Sequence, residues 1–331
     1  MANNITSIFI SCLRTCLCLA CALGIATACS DADTPLPVDP PGTPPYFVNA
    51  PLPRAKSPYK ILAIGNSYTL DGVSYAGEIT DGLGIDPHSY CLYALTRGNT
   101  SLQYWSNVLD SDKDTIIIYR QAGQDKVPLR KATLASILQQ DWDVVVLQQV
   151  STNAIDYNTY NPYLRHFIDA IRTHCTNPDV AIAWQLIHAY STNNKRNKGV
   201  AGDQRWQRIA AATQTMMQRD GIDIIIPTGT AIQMARHSTL NNATELTRDN
   251  THLCYGVGRY IAACCWVQTL FAPVYGCDVM QCKATHPLTE AELNDADKAF
   301  IKESSIAVTE ENRKACLNCV ADAWAHPFSL E

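Results

Sequence analysis

The chain has 331 residues, with 26 Lys and Arg against 31 Asp and Glu, a formal net charge of −5 and a pI near 5.9. That balance excludes nucleic-acid recognition through a basic face, because phosphate binding needs clustered positive charge. No apolar stretch reaches the ~20 residues of a bilayer-spanning helix, and the chain beyond residue 58 suffices for one large α/β domain with its own core.

The first predicted element is an export signal over residues 1–29. Arg14 is the only charged side chain before Asp31, residues 16–25 are an apolar run, and Ala26-Thr27-Ala28 precede Cys29. A short apolar run ending in small residues is the pattern of a cleavage site. The small residues before Cys29 also resemble the lipobox of bacterial lipoproteins, although Ala26 stands where Leu is typical. Ser30-Asp31-Ala32-Asp33 resembles the export tags of surface lipoproteins in Bacteroidetes. These resemblances imply an exported, outer-membrane-anchored lipoprotein, periplasmic or at the cell surface, touching membrane only through a lipid on Cys29; ordinary secretion is the alternative. Residues 30–58 read as a linker, because Pro35, Pro37, Pro40, Pro41, Pro44, Pro45, Pro51, Pro53 and Pro58 leave little room for helix or sheet. At about 3.1 Å per residue, a polyproline II chain of this length reaches roughly 85 Å. Residues 59–331 form the domain.

Within the domain, short apolar runs alternate with helical patterns. Residues 59–64 predict a strand, 73–83 a helix closed by Gly84, 89–95 a strand and 101–108 a helix. Residues 115–119 form an extra strand and 129–139 a helix. Residues 143–147 are a continuous apolar strand, and 163–174 a helix with Leu164, Phe167, Ile168 and Ile171 on one face. Strands at 180–187 and 222–226 flank a helix at 204–219; an apolar helix at 255–271 and a helical segment at 290–324 complete the chain. Apolar strands separated by helices predict a parallel sheet covered on both faces, an α/β fold. Neither a Gly-x-Gly-x-x-Gly turn after the first strand nor a Gly-Lys-Ser/Thr loop is present, so no nucleotide site is expected.

Of the 14 cysteines, Cys12, Cys16, Cys18, Cys21 and Cys29 belong to the signal. Export permits disulfides, and the close pairs Cys277/Cys282 and Cys316/Cys319 are the best candidates. Cys91, Cys264 and Cys265 fall in apolar runs and read as buried small hydrophobes. Cys316-x-x-Cys319 has no second pair at zinc-finger spacing, so no metal site is expected.

The chemistry begins at Gly65-Asn66-Ser67, where the first apolar strand ends. The carboxyl end of a central parallel strand is where α/β proteins place their active groups. A serine hydroxyl there becomes a nucleophile only beside a base that is itself oriented by a third group. Arg248-Asp249-Asn250-Thr251-His252-Leu253 supplies both: in a tight turn Asp249 can bond one ring nitrogen of His252 and leave the other for Ser67. Acyl transfer also needs donors for the developing oxyanion. The N–H of Ser67, the N–H of Gly98 after the second strand, and a side-chain amide of Gln148 or Gln149 at the end of the third all fall on the same sheet edge. Asn153 is a more distant option.

The order of these four pieces resembles the SGNH hydrolase superfamily of GDSL-like esterases and lipases. Gly65-Asn66-Ser67-Tyr68-Thr69 corresponds to the first block, Gly98 in Arg97-Gly98-Asn99 to the second, and Asp249 to His252 to the last. Two departures stand out. Asn66 replaces the commoner Asp, and Gln148-Gln149-Val150-Ser151 replaces Gly-x-Asn-Asp in the third block, which is similar to the carbohydrate acetylesterase branch. The resemblance implies a three-layer α/β/α, flavodoxin-like parallel sheet. It further implies a cofactor-free serine esterase with Ser67, His252 and Asp249 as triad, acting on small acyl esters, acetyl foremost, of a carbohydrate or other small molecule.

Two rival readings follow from the same residues. One is a non-catalytic glycan-binding lipoprotein on the same scaffold, expected if the three triad groups lie far apart. The other is a hydrolase using His188 or His237. Trp105, Trp142, Trp184, Tyr190 and Tyr68 are available either to stack on sugars or to pack in the core.

Overall fold

The computed structural model describes residues 58–330 apart from 112–115, 123–124, 223 and 295–301. The signal, Cys29 and the linker up to residue 57 lie outside the described residues. In chain order the elements are β1 (Tyr59–Gly65), α1 (Ser67–Val73), α2 (Ala76–Gly82), β2 (Tyr90–Thr96), α3 (Leu102–Leu109), β3 (Ile116–Ala122), β4 (Asp125–Ala132), α4 (Leu134–Leu138), β5 (Val144–Leu147) and α5 (Tyr163–His174). There follow β6 (Ala181–Gln185), α6 (Gly202–Asp220), β7 (Ile224–Ile226), α7 (Thr228–Arg236), α8 (Val257–Leu270), α9 (Ala272–Tyr275), α10 (Glu290–Leu293) and α11 (Glu310–Ala325). No helix among the described residues is long and apolar enough to cross a membrane.

The sheet runs in the order β4-β3-β2-β1-β5-β6-β7. The five strands β2, β1, β5, β6 and β7 are parallel, and set apart from the β3–β4 hairpin they show the 2-1-3-4-5 order of flavodoxin-like folds. β3 and β4 pair antiparallel and extend the sheet beyond β2. Pro128 sits in the edge strand β4, beside a register shift at Ile118/Tyr119; a residue without an N–H is tolerated at an edge and not inside a sheet.

Strand alternation explains the two cores. Tyr59, Ile61 and Ala63 of β1, Val144 and Val146 of β5, and Ala181 and Ala183 of β6 face one layer, built on α2, α7, α8 and α11. Leu62 and Ile64, Val145 and Leu147, and Ile182 and Trp184 face the other, built on α3 to α6. Both faces are covered, which is why these strands read as unbroken apolar runs.

Several expectations are corrected. The helix expected at 73–83 is the shorter α2, and a further helix, α1, precedes it from Ser67, because Asn66 caps it. Residues 129–139 divide between β4 and α4, since β3 offers β4 a full antiparallel ladder. The segment after residue 290 is not one helix. Ile306 pairs with Gly256 and Val308 with His286, which holds that stretch extended before α11. At Gly256 (φ +71°) an added Cβ would lie 1.8 Å from Ile306 O, so only glycine permits this crossing. His286 itself is buried, its Nδ1 2.6 Å from Glu78 Oε2 of α2 and its Nε2 3.1 Å from Glu292 Oε2 of α10.

All nine domain cysteines are free thiols. Cys316 and Cys319 lie three apart on α11, where Cβ atoms stand about 5–6 Å apart and a disulfide needs about 3.5–4.5 Å. Cys282 is buried, its Sγ 3.7 Å from Ile79 O, and is not bonded to Cys277. The five aromatic candidates for sugar stacking, Trp105, Trp142, Trp184, Tyr190 and Tyr68, are all buried in the core, so stacking on a sugar is excluded for them.

Candidate active site

β1 ends at Gly65 for a steric reason. A Cβ there would stand 2.2 Å from Thr69 Oγ1 and 2.7 Å from Gln148 Nε2. Its carbonyl accepts from Arg97 N (3.2 Å), Thr100 Oγ1 (3.3 Å) and Trp105 Nε1 (3.1 Å), which ties the tip of β1 to the loop after β2. Asn66 then caps α1: its Oδ1 accepts from Tyr68 N (3.0 Å) and its Nδ2 donates to Thr100 O (3.0 Å). A carboxylate could make the first bond but not the second, which accounts for Asn at this position. Ser67 is therefore the first residue of the helix. Its N–H belongs to the initial turn, which has no intrahelical acceptor.

The second half of the site is the loop before α8. His252 Nε2 lies 2.7 Å from Ser67 Oγ. His252 Nδ1 lies 2.6 Å from Asp249 Oδ2. Asp249 Oδ1 also accepts from His252 N (2.7 Å) and Thr251 N (3.0 Å). Burial pushes the Asp249 carboxyl up, but the hydrogen bonds from the His252 ring, the His252 N–H and the Thr251 N–H outweigh it and hold it down at about 2. Asp249 is thus ionised at neutral pH and fixes Nδ1–H of His252, leaving Nε2 as the acceptor facing Ser67.

The remaining oxyanion candidates differ in what else they do. Gly98 lies two residues beyond β2, exposed, with open space where a side chain would project. Gln149 is fully committed: its Oε1 accepts from Leu102 N (3.1 Å) and Val150 N (2.8 Å), and its Nε2 donates to Thr159 O (3.0 Å). Gln148 is buried against Gly65, and both polar atoms of its amide lack a partner. Asn153 lies in the turn beyond, its Oδ1 3.2 Å from Thr152 Oγ1.

The two alternative histidines are otherwise engaged. His188 is buried, stacks on Tyr68 with ring centroids 4.2 Å apart, and its Nε2 lies 2.9 Å from Thr251 O. Burial, helped by the Arg236 charge, pulls His188 down to about 3, so it is neutral and donates to that carbonyl. His237 is exposed at the end of α7, 2.8 Å from Asp203 Oδ1. Among the described residues no three His, Cys, Asp or Glu side chains converge as metal ligands.

Residues not anticipated from sequence hold the histidine loop. Asn250 (φ 63°) accepts at its carbonyl from Ser191 N (3.2 Å) and Asn194 Nδ2 (2.8 Å). Asp71, one turn beyond Ser67 on α1, bonds both ends of the loop. The first signal that could have exposed Asp71 was its spacing of four from Ser67, which only matters once the helix is known to start at Ser67.

Among solved structures, a DUF4886 family protein from Bacteroides uniformis is similar to this chain at 24% identity and a TM-score of 0.66, over 82% of this chain and 96% of that one. A candidate SGNH hydrolase from Slackia heliotrinireducens (19% identity, TM-score 0.45, 63% of this chain and 97% of that one) is a more remote likeness. So is a catalytic mutant of an acetylxylan esterase from Geobacillus stearothermophilus (11% identity, TM-score 0.44, 65% and 95%). No curated protein matches the chain. The Bacteroides uniformis structure shares the three-layer α/β/α fold described above. The model of the family described as "Domain of unknown function (DUF4886)" matches residues 60–287, from the first residues of β1 to the strand-like pairing at His286, and the chain belongs to that family.

Proposed function

We propose that the chain is a serine esterase of the SGNH type, hydrolysing small acyl esters. The observation that carries the reading is the unbroken relay Ser67 Oγ to His252 Nε2 (2.7 Å) and His252 Nδ1 to Asp249 Oδ2 (2.6 Å) at the carboxyl end of the central strand. In this reading His252 takes the Ser67 proton as Oγ attacks the ester carbonyl. The imidazolium so formed is stabilised by ionised Asp249 and returns the proton to the leaving alcohol. Ser67 N–H, Gly98 N–H and Gln148 Nε2 receive the oxyanion; Gln149 is set aside because its amide is consumed by the backbone. Water, activated by the same histidine, releases the acid.

The glutamine in the third block favours an acetyl group on a carbohydrate as the substrate, and the N-terminal signal with Cys29 favours an exported lipoprotein. The glycan-binding alternative called for separated triad groups and has no such support. The test is hydrolysis of p-nitrophenyl acetate by residues 31–331, wild type beside Ser67→Ala. Loss of turnover in the variant upholds the reading; equal rates overturn it.

A further inference from the structure

We infer that Asp71 is a positioning residue for the esterase reaction, clamping the histidine loop onto the helix that carries the nucleophile. The inference rests on the triad reading above and concerns a residue outside it. Asp71 is completely buried and lies on α1 four residues after Ser67. Its Oδ2 accepts from Leu253 N (3.0 Å), the residue after His252. Its Oδ1 accepts from Arg248 Nη1 (3.0 Å), the residue before Asp249. Arg248 closes the loop on itself: its N–H donates to His252 O (2.9 Å) and its guanidinium to Leu253 O. Arg259 of α8 donates from Nε to the same Oδ1 (2.9 Å). Tyr255 packs under both guanidiniums, 5.1 Å from Arg248 and 4.5 Å from Arg259.

One carboxylate thus joins four things: the nucleophile's helix, the chain entering the Asp249–His252 turn, the chain leaving it, and the helix that follows. Serine and histidine are 185 residues apart in sequence, and Asp71 spans that distance with direct bonds. The geometry also explains a charge pattern that a plain ion pair would not need. Two guanidiniums, only 13% and 12% exposed, converge on a single buried carboxylate. Burial alone would push that carboxyl up; Arg248 and Arg259 outweigh it and hold it below the usual range. Asp71 is therefore ionised at neutral pH. Because Asp71 touches neither substrate nor reacting atoms, its removal should act through the placement of His252. A misplacement of about 1 Å costs on the order of 10²-fold in rate.

The experiment compares Asp71→Asn with Asp143→Ala, which removes a buried carboxylate that accepts from Lys60 N (2.9 Å) at the amino-terminal end of β1 and β5, opposite the triad loop. Turnover of p-nitrophenyl acetate and thermal midpoint are measured for both. The expected result is a kcat lowered about 100-fold in Asp71→Asn, with KM within about threefold of wild type, while Asp143→Ala lowers the midpoint and keeps wild-type kcat. Wild-type kcat in folded Asp71→Asn overturns the inference. Should Asp71→Asn not fold, Arg248→Met cuts the clamp at one end with Asp71 still bonded to Arg259 and Leu253, and a kcat unchanged there overturns it equally. If the wild type hydrolyses no ester, the esterase reading falls by itself. The clamp is then judged from crystal structures of wild type and variant: Ser67 Oγ to His252 Nε2 beyond 3.5 Å in the variant supports it, and an unmoved histidine refutes it.

Discussion

Gln148→Met should make the protein more stable and less active at once. The wild-type amide is 4% exposed and neither its nitrogen nor its oxygen has a partner. A buried polar group left unsatisfied costs about 1–3 kcal/mol. Methionine keeps the length and flexibility of the side chain without the amide, so it relieves that cost at nearly constant volume beside Gly65. A gain of about 1–2 kcal/mol raises the thermal midpoint of a domain of this size by roughly 2–8 °C. The same change removes the proposed third oxyanion donor, and loss of one such donor costs about 10²–10³-fold in kcat. Scanning calorimetry and p-nitrophenyl acetate turnover on one preparation read both quantities. A variant with wild-type kcat would refute the catalytic role. A lowered midpoint would refute the claim that the amide is held unsatisfied for function.

Two further outcomes follow from charge. His286 is held up to about 9 by its hydrogen bonds to Glu292 and Glu78, which outweigh the opposing effect of burial. A folded value above the unfolded 6.5 gives stability that is complete below pH 6.5 and lost as pH rises through about 9, worth about 3 kcal/mol; a midpoint-versus-pH series should show this decline, and His286→Gln should flatten it. His188 is uncharged above about pH 3, so the acid limb of kcat/KM should be a single ionisation that His188→Asn leaves in place; its disappearance would assign the base to His188.

The sequence was most legible where one residue type faces one environment. β1, β5 and β6 are buried on both sides, so their apolar runs announced strands, and the serine at the tip of β1 followed from them. The turn Asp249 to His252 was legible because a spacing of three brings the Asp249 carboxylate to the His252 ring within one turn. The choice between Gln148 and Gln149 was not, since both follow the end of β5 and only tertiary contacts show that Gln149 is spent on Leu102, Val150 and Thr159. The β4 segment resembled a helix because its pairing partner is supplied by β3, a tertiary fact. Asp71 stayed hidden for the same reason: its partners lie at 248, 253 and 259.

The helix α11 packs into the same core as the helices before it. The family model stops at residue 287, yet Cys316, Leu317, Val320 and Ala323 are buried in the same core as α7 and α8. Ile306 donates its N–H to Tyr255 O (3.3 Å) and accepts from Val257 N (2.8 Å), three to five residues from the proposed base. The region by which relatives are recognised is therefore shorter than the region that folds. A fragment trimmed to the former would lose α11, expose the faces of α7 and α8 that it covers, and loosen the brace behind His252. Substitutions in this tail, far from any substrate, would then register as losses of activity.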